Sequence, residues 1–243
     1  MLDARLETPM EPPRAFAIFS HCFTCTKDTL AVFRVSRQLA SKGIAVLRFD
    51  FTGLGASEGE FATTNFTSNI ADINAAIKYL SERYQAPSLL IGHSLGGTAM
   101  LAAASKADSV TAVVTIASPS QPDHVLHHFG QKLEVLEQGM PVSITVADQQ
   151  YRIDPQFIHD VRKHNMKYHL MFMNKPVLIF NVVHDALVSG NNADEIKEMV
   201  NGDAVIVNLE DADHVLSDKH DAEFVADMIS NWYSGVKEQV SFF

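Results

Sequence analysis

Ile91-Gly92-His93-Ser94-Leu95-Gly96-Gly97 is the stretch on which the fold turns. It fits G-x-S-x-G, set between an apolar run (Ser88 to Ile91) and a helical stretch (Leu95 to Lys106). That context is the one the motif needs, because a serine on a sharp strand-to-helix turn leaves no room for side chains two residues to either side. A serine hydroxyl is a weak nucleophile without a base, so a histidine and a carboxylate are expected downstream, in the order Ser, Asp or Glu, then His.

Working outward, short apolar runs alternate with helical patterns. Strands are expected at Ala15 to Ser20, Ile44 to Phe49, Ser88 to Ile91, Val110 to Ile116, Val177 to Val182 and Ala204 to Leu209. Helices are expected at Asp28 to Lys42, Asn65 to Tyr84, Leu95 to Lys106, Ala193 to Val200 and Asp218 to Ser234, with Gly43 closing the first. Such near-continuous apolar strands, separated by helices, predict an α/β fold with a mostly parallel sheet covered on both faces. The rhythm fails between Gln121 and Asn174. Helices at Asp123 to Gln138 and Pro155 to Met173, and a hairpin turning at Ala147-Asp148-Gln149, are expected there. The chain thus divides into a core of residues 1–120 and 175–243 and a cap insertion of residues 121–174, placed to cover a site.

Asp185 follows the run Val177 to Val182, and His214 follows Ala204 to Leu209, so both fall at carboxyl ends of parallel strands, where such sheets hold their ligands. The expected roles are Ser94 as nucleophile, His214 as its base and Asp185 as the acid that orients the imidazole. Asp211 and Asp213 are rival acids, although Asp213 is next to His214 and reaches back awkwardly. Two backbone N–H groups must meet the oxyanion: Leu95, directly after the nucleophile, and Phe23, in the loop Ser20-His21-Cys22-Phe23-Thr24-Cys25.

Composition narrows the field. The 243 residues carry 19 Lys+Arg against 29 Asp+Glu, a formal charge of −10, with 47% hydrophobic and 20% charged residues. Disorder and a fibrous repeat are excluded, and a grip on nucleic acid or anionic lipid lacks its clustered positive charge. No apolar stretch reaches the roughly 18 residues of a membrane span. The first residues lack a signal-peptide pattern. Two cysteines cannot build a disulfide framework, so free thiols in a reducing cytoplasm are expected, and Cys22-x-x-Cys25 reads as packing rather than a working dithiol. His124, His127 and His128 share a helix face that could bind metal, yet no acidic or cysteine cluster accompanies them, so a solvated surface is expected. Asp50 with Gly53 and Gly55 shapes a loop at the pocket edge. No cofactor and no metal are expected.

The chain resembles the α/β-hydrolase superfamily along almost its whole length. It is similar, more narrowly, to the hydrolase half of bacterial proteins that fuse an α/β-hydrolase to an OsmC-like domain. The residues carrying that likeness are His21-Cys22-Phe23-Thr24-Cys25-Thr26-Lys27-Asp28, Leu47-Arg48-Phe49-Asp50-Phe51-Thr52-Gly53-Leu54-Gly55 and Leu90-Ile91-Gly92-His93-Ser94-Leu95-Gly96-Gly97. It departs from the commoner pattern by placing Cys22 where a glycine is usual, and, unlike the fusions, it is expected to stand without a redox domain. The resemblance implies Ser94, Asp185 and His214 as a triad with Phe23 and Leu95 as the oxyanion hole. It implies hydrolysis of a small-molecule ester, thioester or activated amide through an acyl-enzyme, and a functional link to an OsmC-like redox protein. The alternative is a redox-linked or ligand-binding protein that uses the Cys22/Cys25 pair or a non-catalytic pocket.

Overall fold

A computed structural model describes residues 1–146 and 148–240, with Gln239 and Val240 described by backbone alone. The strands are β1 (Ala4–Glu7), β2 (Ala15–Ser20), β3 (Ile44–Phe49), β4 (Leu89–His93), β5 (Ala112–Ile116), β6 (Val142–Val146), β7 (Gln149–Ile153), β8 (Val177–Val182) and β9 (Ala204–Leu209). The helices are α1 (Leu30–Ser41), α2 (Phe66–Arg83), α3 (Leu95–Ala104), α4 (Lys132–Glu137), α5 (Gln156–Lys163), α6 (Met166–Leu170), α7 (Asn192–Met199) and α8 (Lys219–Val240). Seven strands form one sheet in the order β1-β3-β2-β4-β5-β8-β9. All its pairings are parallel except β1 with β3, where Ala4 faces Phe49 in an antiparallel register.

Each central strand is buried on both sides, and its period of two sorts side chains between two cores. Ile18, Leu90, Val113 and Ile179 point to one core, shared with α2, α3 and α7. Ala17, Phe19, Ile91, Val114 and Phe180 point to the other, under α1 and α8. Local chemistry sets the helix ends. Asn65 and Ser68 exchange side-chain bonds with each other's backbone N–H at 2.9 Å and start α2 with a reciprocal cap. Gly43 ends α1 at φ +84°, its N–H returning to the Ala40 carbonyl.

Between β5 and β8 lie the insertion's elements. The expected first helix breaks in two: a 3-10 turn spans Pro122–Phe129, and α4 follows only after Gly130 at φ +52°. The expected hairpin is β6 paired with β7, and Ala147 of its turn lies outside the described residues. The expected second helix divides into α5 and α6. Strand β1, for which the sequence carries no strand pattern, is a mostly exposed edge.

Candidate active site

The turn from β4 into α3 shows why its glycines are required. Ser94 adopts φ +54°, ψ −131°, a conformation non-glycine residues rarely hold. A Cβ on Gly92 would come within 2.5 Å of the Gly97 Cα, and one on Gly96 within 2.2 Å of the His21 carbonyl oxygen. The second clash is informative, because it shows how closely the loop after β2 approaches the start of α3. Ser20 Oγ also donates to the Gly96 carbonyl at 3.0 Å. Phe23 and Leu95 therefore belong to two segments in direct contact, and neither N–H has a protein acceptor among the described residues.

Parallel register brings the other site residues to the same edge. Gly92 lies beside Ser20, His93 beside Ile116, Ile116 beside Phe180 and Val182 beside Leu209. The loops after β8 and β9 then meet. His214 Nδ1 donates to Asp185 Oδ2 at 2.6 Å, and Asp185 Oδ1 accepts the N–H groups of Leu187 (2.8 Å) and Val188 (2.9 Å). Burial alone would raise the Asp185 carboxyl, but the His214 bond and the two amides outweigh it and hold it below the usual range. Among the rival acids, Asp213 is occupied by its own turn, accepting from the N–H groups of Val215 and Ser217 and from the Ser217 hydroxyl. Ser94 is half-buried, and no hydrogen bond joins its hydroxyl to His214 among the described residues. Catalytic hydrogen bonds commonly tighten only when substrate arrives.

Several residues support the site; the sequence reading assigned no role to His93, His21 or Arg48, and gave Asp50 only a loop at the pocket edge. His93 is fully buried and donates from Nε2 to the His214 backbone carbonyl at 2.6 Å. His21 is also fully buried, its Nδ1 on the Cys22 carbonyl at 2.8 Å and its Nε2 accepting from the Phe51 N–H at 3.1 Å. Asp50, wholly buried, accepts the Lys27 N–H at 2.6 Å, Lys27 Nζ at 2.8 Å and the Ala56 N–H at 3.0 Å. Arg48, also wholly buried, pairs with Glu7 and Asp28 and lies over the Phe33 ring. These bonds pin the Phe23 loop from below. A charged residue inside a β-run was the signal that could have found Arg48, since full burial of a guanidinium demands partners.

One expectation is corrected. Cys22 and Cys25 are not free thiols: they form a disulfide, with Cα atoms 5.2 Å apart. The Cys25 N–H returns to the Cys22 carbonyl at 3.2 Å, and Thr24 adopts φ +59°, a tight turn that composition cannot reveal. Among the described residues no group of three or more His, Cys, Asp or Glu is arranged to hold a metal. His124, His127 and His128 have adjoining rings, and His124 Nε2 donates to the Leu187 carbonyl.

The insertion meets the Phe23 loop through aromatic rings. Phe23 lies 5.7 Å from Phe61, 6.3 Å from Phe129 and 5.4 Å from Phe157 between centroids, and the Tyr151 hydroxyl donates to the Thr24 carbonyl at 3.2 Å.

Comparison with known proteins adds to this geometry. The family model described as serine aminopeptidase, S33 (Hydrolase_4) matches residues 11–231. The human protein named palmitoyl-protein thioesterase ABHD10, mitochondrial, is 26% identical over 195 residues, covering 76% of this chain. The chain spans 62% of that protein's length. The crystal structure of the esterase domain of a Rhodothermus marinus protein is 37% identical, with a TM-score of 0.73, over 94% of this chain and 90% of that one. Est1E from Butyrivibrio proteoclasticus, solved with ferulic acid bound, shares the fold at 19% identity, with a TM-score of 0.80 over 98% of this chain and 96% of that one. No helix among the described residues is long and apolar enough to cross a membrane.

Proposed function

The chain belongs to the Hydrolase_4 family (serine aminopeptidase, S33), and from that premise we propose that it hydrolyses small-molecule esters and thioesters through an acyl-enzyme on Ser94. The observation that carries this reading is the Asp185–His214 pair at 2.6 Å, held on the sheet edge where the strained Ser94 turn stands half-open. Ser94 Oγ attacks the acyl carbonyl while His214 Nε2 takes its proton. Asp185, an anion kept ionised by three donors, fixes the imidazole tautomer and stabilises the imidazolium. The N–H groups of Phe23 and Leu95 receive the oxyanion. His214 returns the proton to the departing alcohol or thiol. It then activates water, which releases the acid and restores Ser94.

Residues 121–174 act as a cap over this edge. The aromatic contacts from Phe129 and Phe157 to Phe23 favour an apolar acyl group beside the oxyanion donors. The names of the human thioesterase and the Rhodothermus esterase domain support testing both leaving groups. The likeness to the fused hydrolases suggests an OsmC-like redox protein as a functional partner. A cytoplasmic setting is the one we favour, and the Cys22–Cys25 disulfide would be exceptional there.

The test is stoichiometric labelling with a fluorophosphonate, followed by peptide mapping and a chain-length panel of p-nitrophenyl esters and matching thioesters. Label on Ser94, and a loss on the order of 10⁴-fold or more in Ser94→Ala, are expected. Activity within tenfold of wild type in the purified variant would sink the serine mechanism.

A further inference from the structure

We propose that His93 is a positioning residue that fixes the main chain of His214 and so sets the reach of the base to Ser94; this rests on the triad reading above. The side chain of His214 is held at one point by Asp185, which leaves the peptide that carries it to be placed. That peptide lies in an irregular loop, where Leu216 adopts φ +49° and Asp213 closes a local turn. His93 supplies the second point, donating from Nε2 to the His214 carbonyl at 2.6 Å with its ring 4.9 Å from the His214 ring.

Three features fit a placed donor better than a packing residue. A carbonyl only accepts, so the proton must sit on Nε2 and the tautomer is fixed. Nδ1 then bears a lone pair that is buried without a partner, an unfavourable state that an apolar side chain of similar shape would avoid. Finally, His93 is bonded in sequence to Ser94, so one peptide link joins the residue that anchors the base to the nucleophile. Displacement of β4 against the loop after β9 would move both together. The surrounding titratable groups are His214, Asp185 and His21, and full burial, with repulsion from His214 second, keeps the His93 imidazole neutral (pushed down to about 3). The anchor therefore adds no positive charge beside the imidazolium that forms on His214 during acylation.

The experiment follows phosphonylation of Ser94 by a fluorophosphonate in the full chain, with active sites titrated so that rates are per competent site. His93→Phe keeps the ring but removes the donor, His93→Asn keeps polarity but is too short to reach, and His93→Gln can carry an N–H to the same carbonyl. Expected are labelling rates and kcat reduced about 10- to 100-fold in the Phe and Asn variants, KM within a few-fold, and a displaced acidic limb of kcat/KM. Gln should recover to within a few-fold of wild type. If the Phe variant does not fold, the Asn–Gln contrast decides. Rates per site equal to wild type in Asn or Phe, with only fewer competent sites, would overturn the proposal and leave His93 a packing residue. Failure of wild type to label at Ser94 would instead strike the triad reading itself.

Discussion

The sheet and the insertion solve the same packing problem in opposite ways. The strands β2, β3, β4 and β5 are buried at every position, whereas β6 is half-buried or exposed throughout and β7 buries only Ile153. A strand buried on both faces is fixed by its neighbours on all sides. The hairpin rests on the core through Ile153 and a few contacts, the Tyr151–Thr24 bond among them, whereas the insertion's helices are packed into the core itself through Phe157, Ile158, Val161, Met166 and Leu170. The difference divides labour. The rigid edge holds the proposed chemistry within tight limits, and the exposed β6–β7 hairpin, the lightly attached part of the proposed cap, is free to vary.

The strongest test of that division lies wholly in the core. Asp185→Asn should lower ester hydrolysis on the order of 10⁴-fold, because an amide favours the wrong His214 tautomer. Asp213→Asn, which touches only its own turn, should cost less than tenfold, and the cap should leave this contrast unchanged. Comparable losses in kcat at both positions would mean that the Asp185–His214 bond is not the working one.

Histidine burial gives a second contrast, in stability. Six of the eleven histidines, His124, His127, His128, His159, His164 and His169, belong to the insertion. The core instead encloses His21 and His93. Burial lowers His21 to about 4 and His93 to about 3, against an ordinary value of 6.5. The unfolded chain binds more protons than the folded one between those limits, so stability is full above pH 6.5 and falls as pH drops toward 4. Near pH 5 two such protons give a slope of about 2.7 kcal/mol per pH unit. Part-buried His128, His164 and His169 are lowered as well and act with the same sign. Urea unfolding at pH 8, 6.5, 5.5 and 5 measures the slope, and a flat profile across that window would show that the core histidines are not held neutral.

The same contrast explains what could be read from the chain alone. Strands β2, β3 and β8 lie where the apolar runs place them, because a strand buried on both faces writes its length as apolar residues; β9 lies there too, although as an edge strand it buries only Leu209. The positions of Ser94, Asp185 and His214 at the sheet edge, where we propose the site, were legible for a related reason: each follows a strand run by one to five residues. The insertion was legible only in outline. Its first helix breaks at Gly130, where the backbone is left-handed, and its elements are anchored by distant partners that no local period encodes. Strand β1 was invisible because its four residues are exposed or half-buried and owe their conformation to pairing with β3. His93 and His21 were hidden by their type, since a buried imidazole looks like any other histidine until its acceptor is seen.

A smaller effect should come from the insertion itself. Tyr151→Ala removes the bond to Thr24 and the edge contact with Phe61, and Phe129→Leu thins the aromatic cluster around Phe23 without emptying it. Each should reorder the ester chain-length panel several-fold while the best rate stays within tenfold of wild type. A uniform fall with the ranking intact would signify loss of stability and break the proposed division between chemistry and cover.

The smallest effect on catalysis is expected where core and insertion meet, at Cys22 and Cys25. The proposed oxyanion donor is the backbone N–H of Phe23, which no side-chain change at either cysteine deletes. The turn around it also has supports of its own: the Cys25 N–H on the Cys22 carbonyl, His21 on the same carbonyl, and Lys27 on buried Asp50. Cys22→Ala with Cys25→Ala should therefore leave ester hydrolysis within about tenfold of wild type, or about 1.4 kcal/mol. Opening so short a loop should cost stability by about 2 kcal/mol in the chain-entropy picture, enough to lower Tm by about 4 to 8 °C. A dithiol enzyme would behave otherwise, since at least one thiol would have to work as a thiolate and the pair would have to cycle with a reductant. Assays of ester hydrolysis and of thiol-dependent peroxide consumption, run on wild type, the double variant and Ser94→Ala, separate the two. Peroxide consumption that survives in Ser94→Ala and vanishes in the double variant would transfer the chemistry from the sheet edge to the disulfide turn.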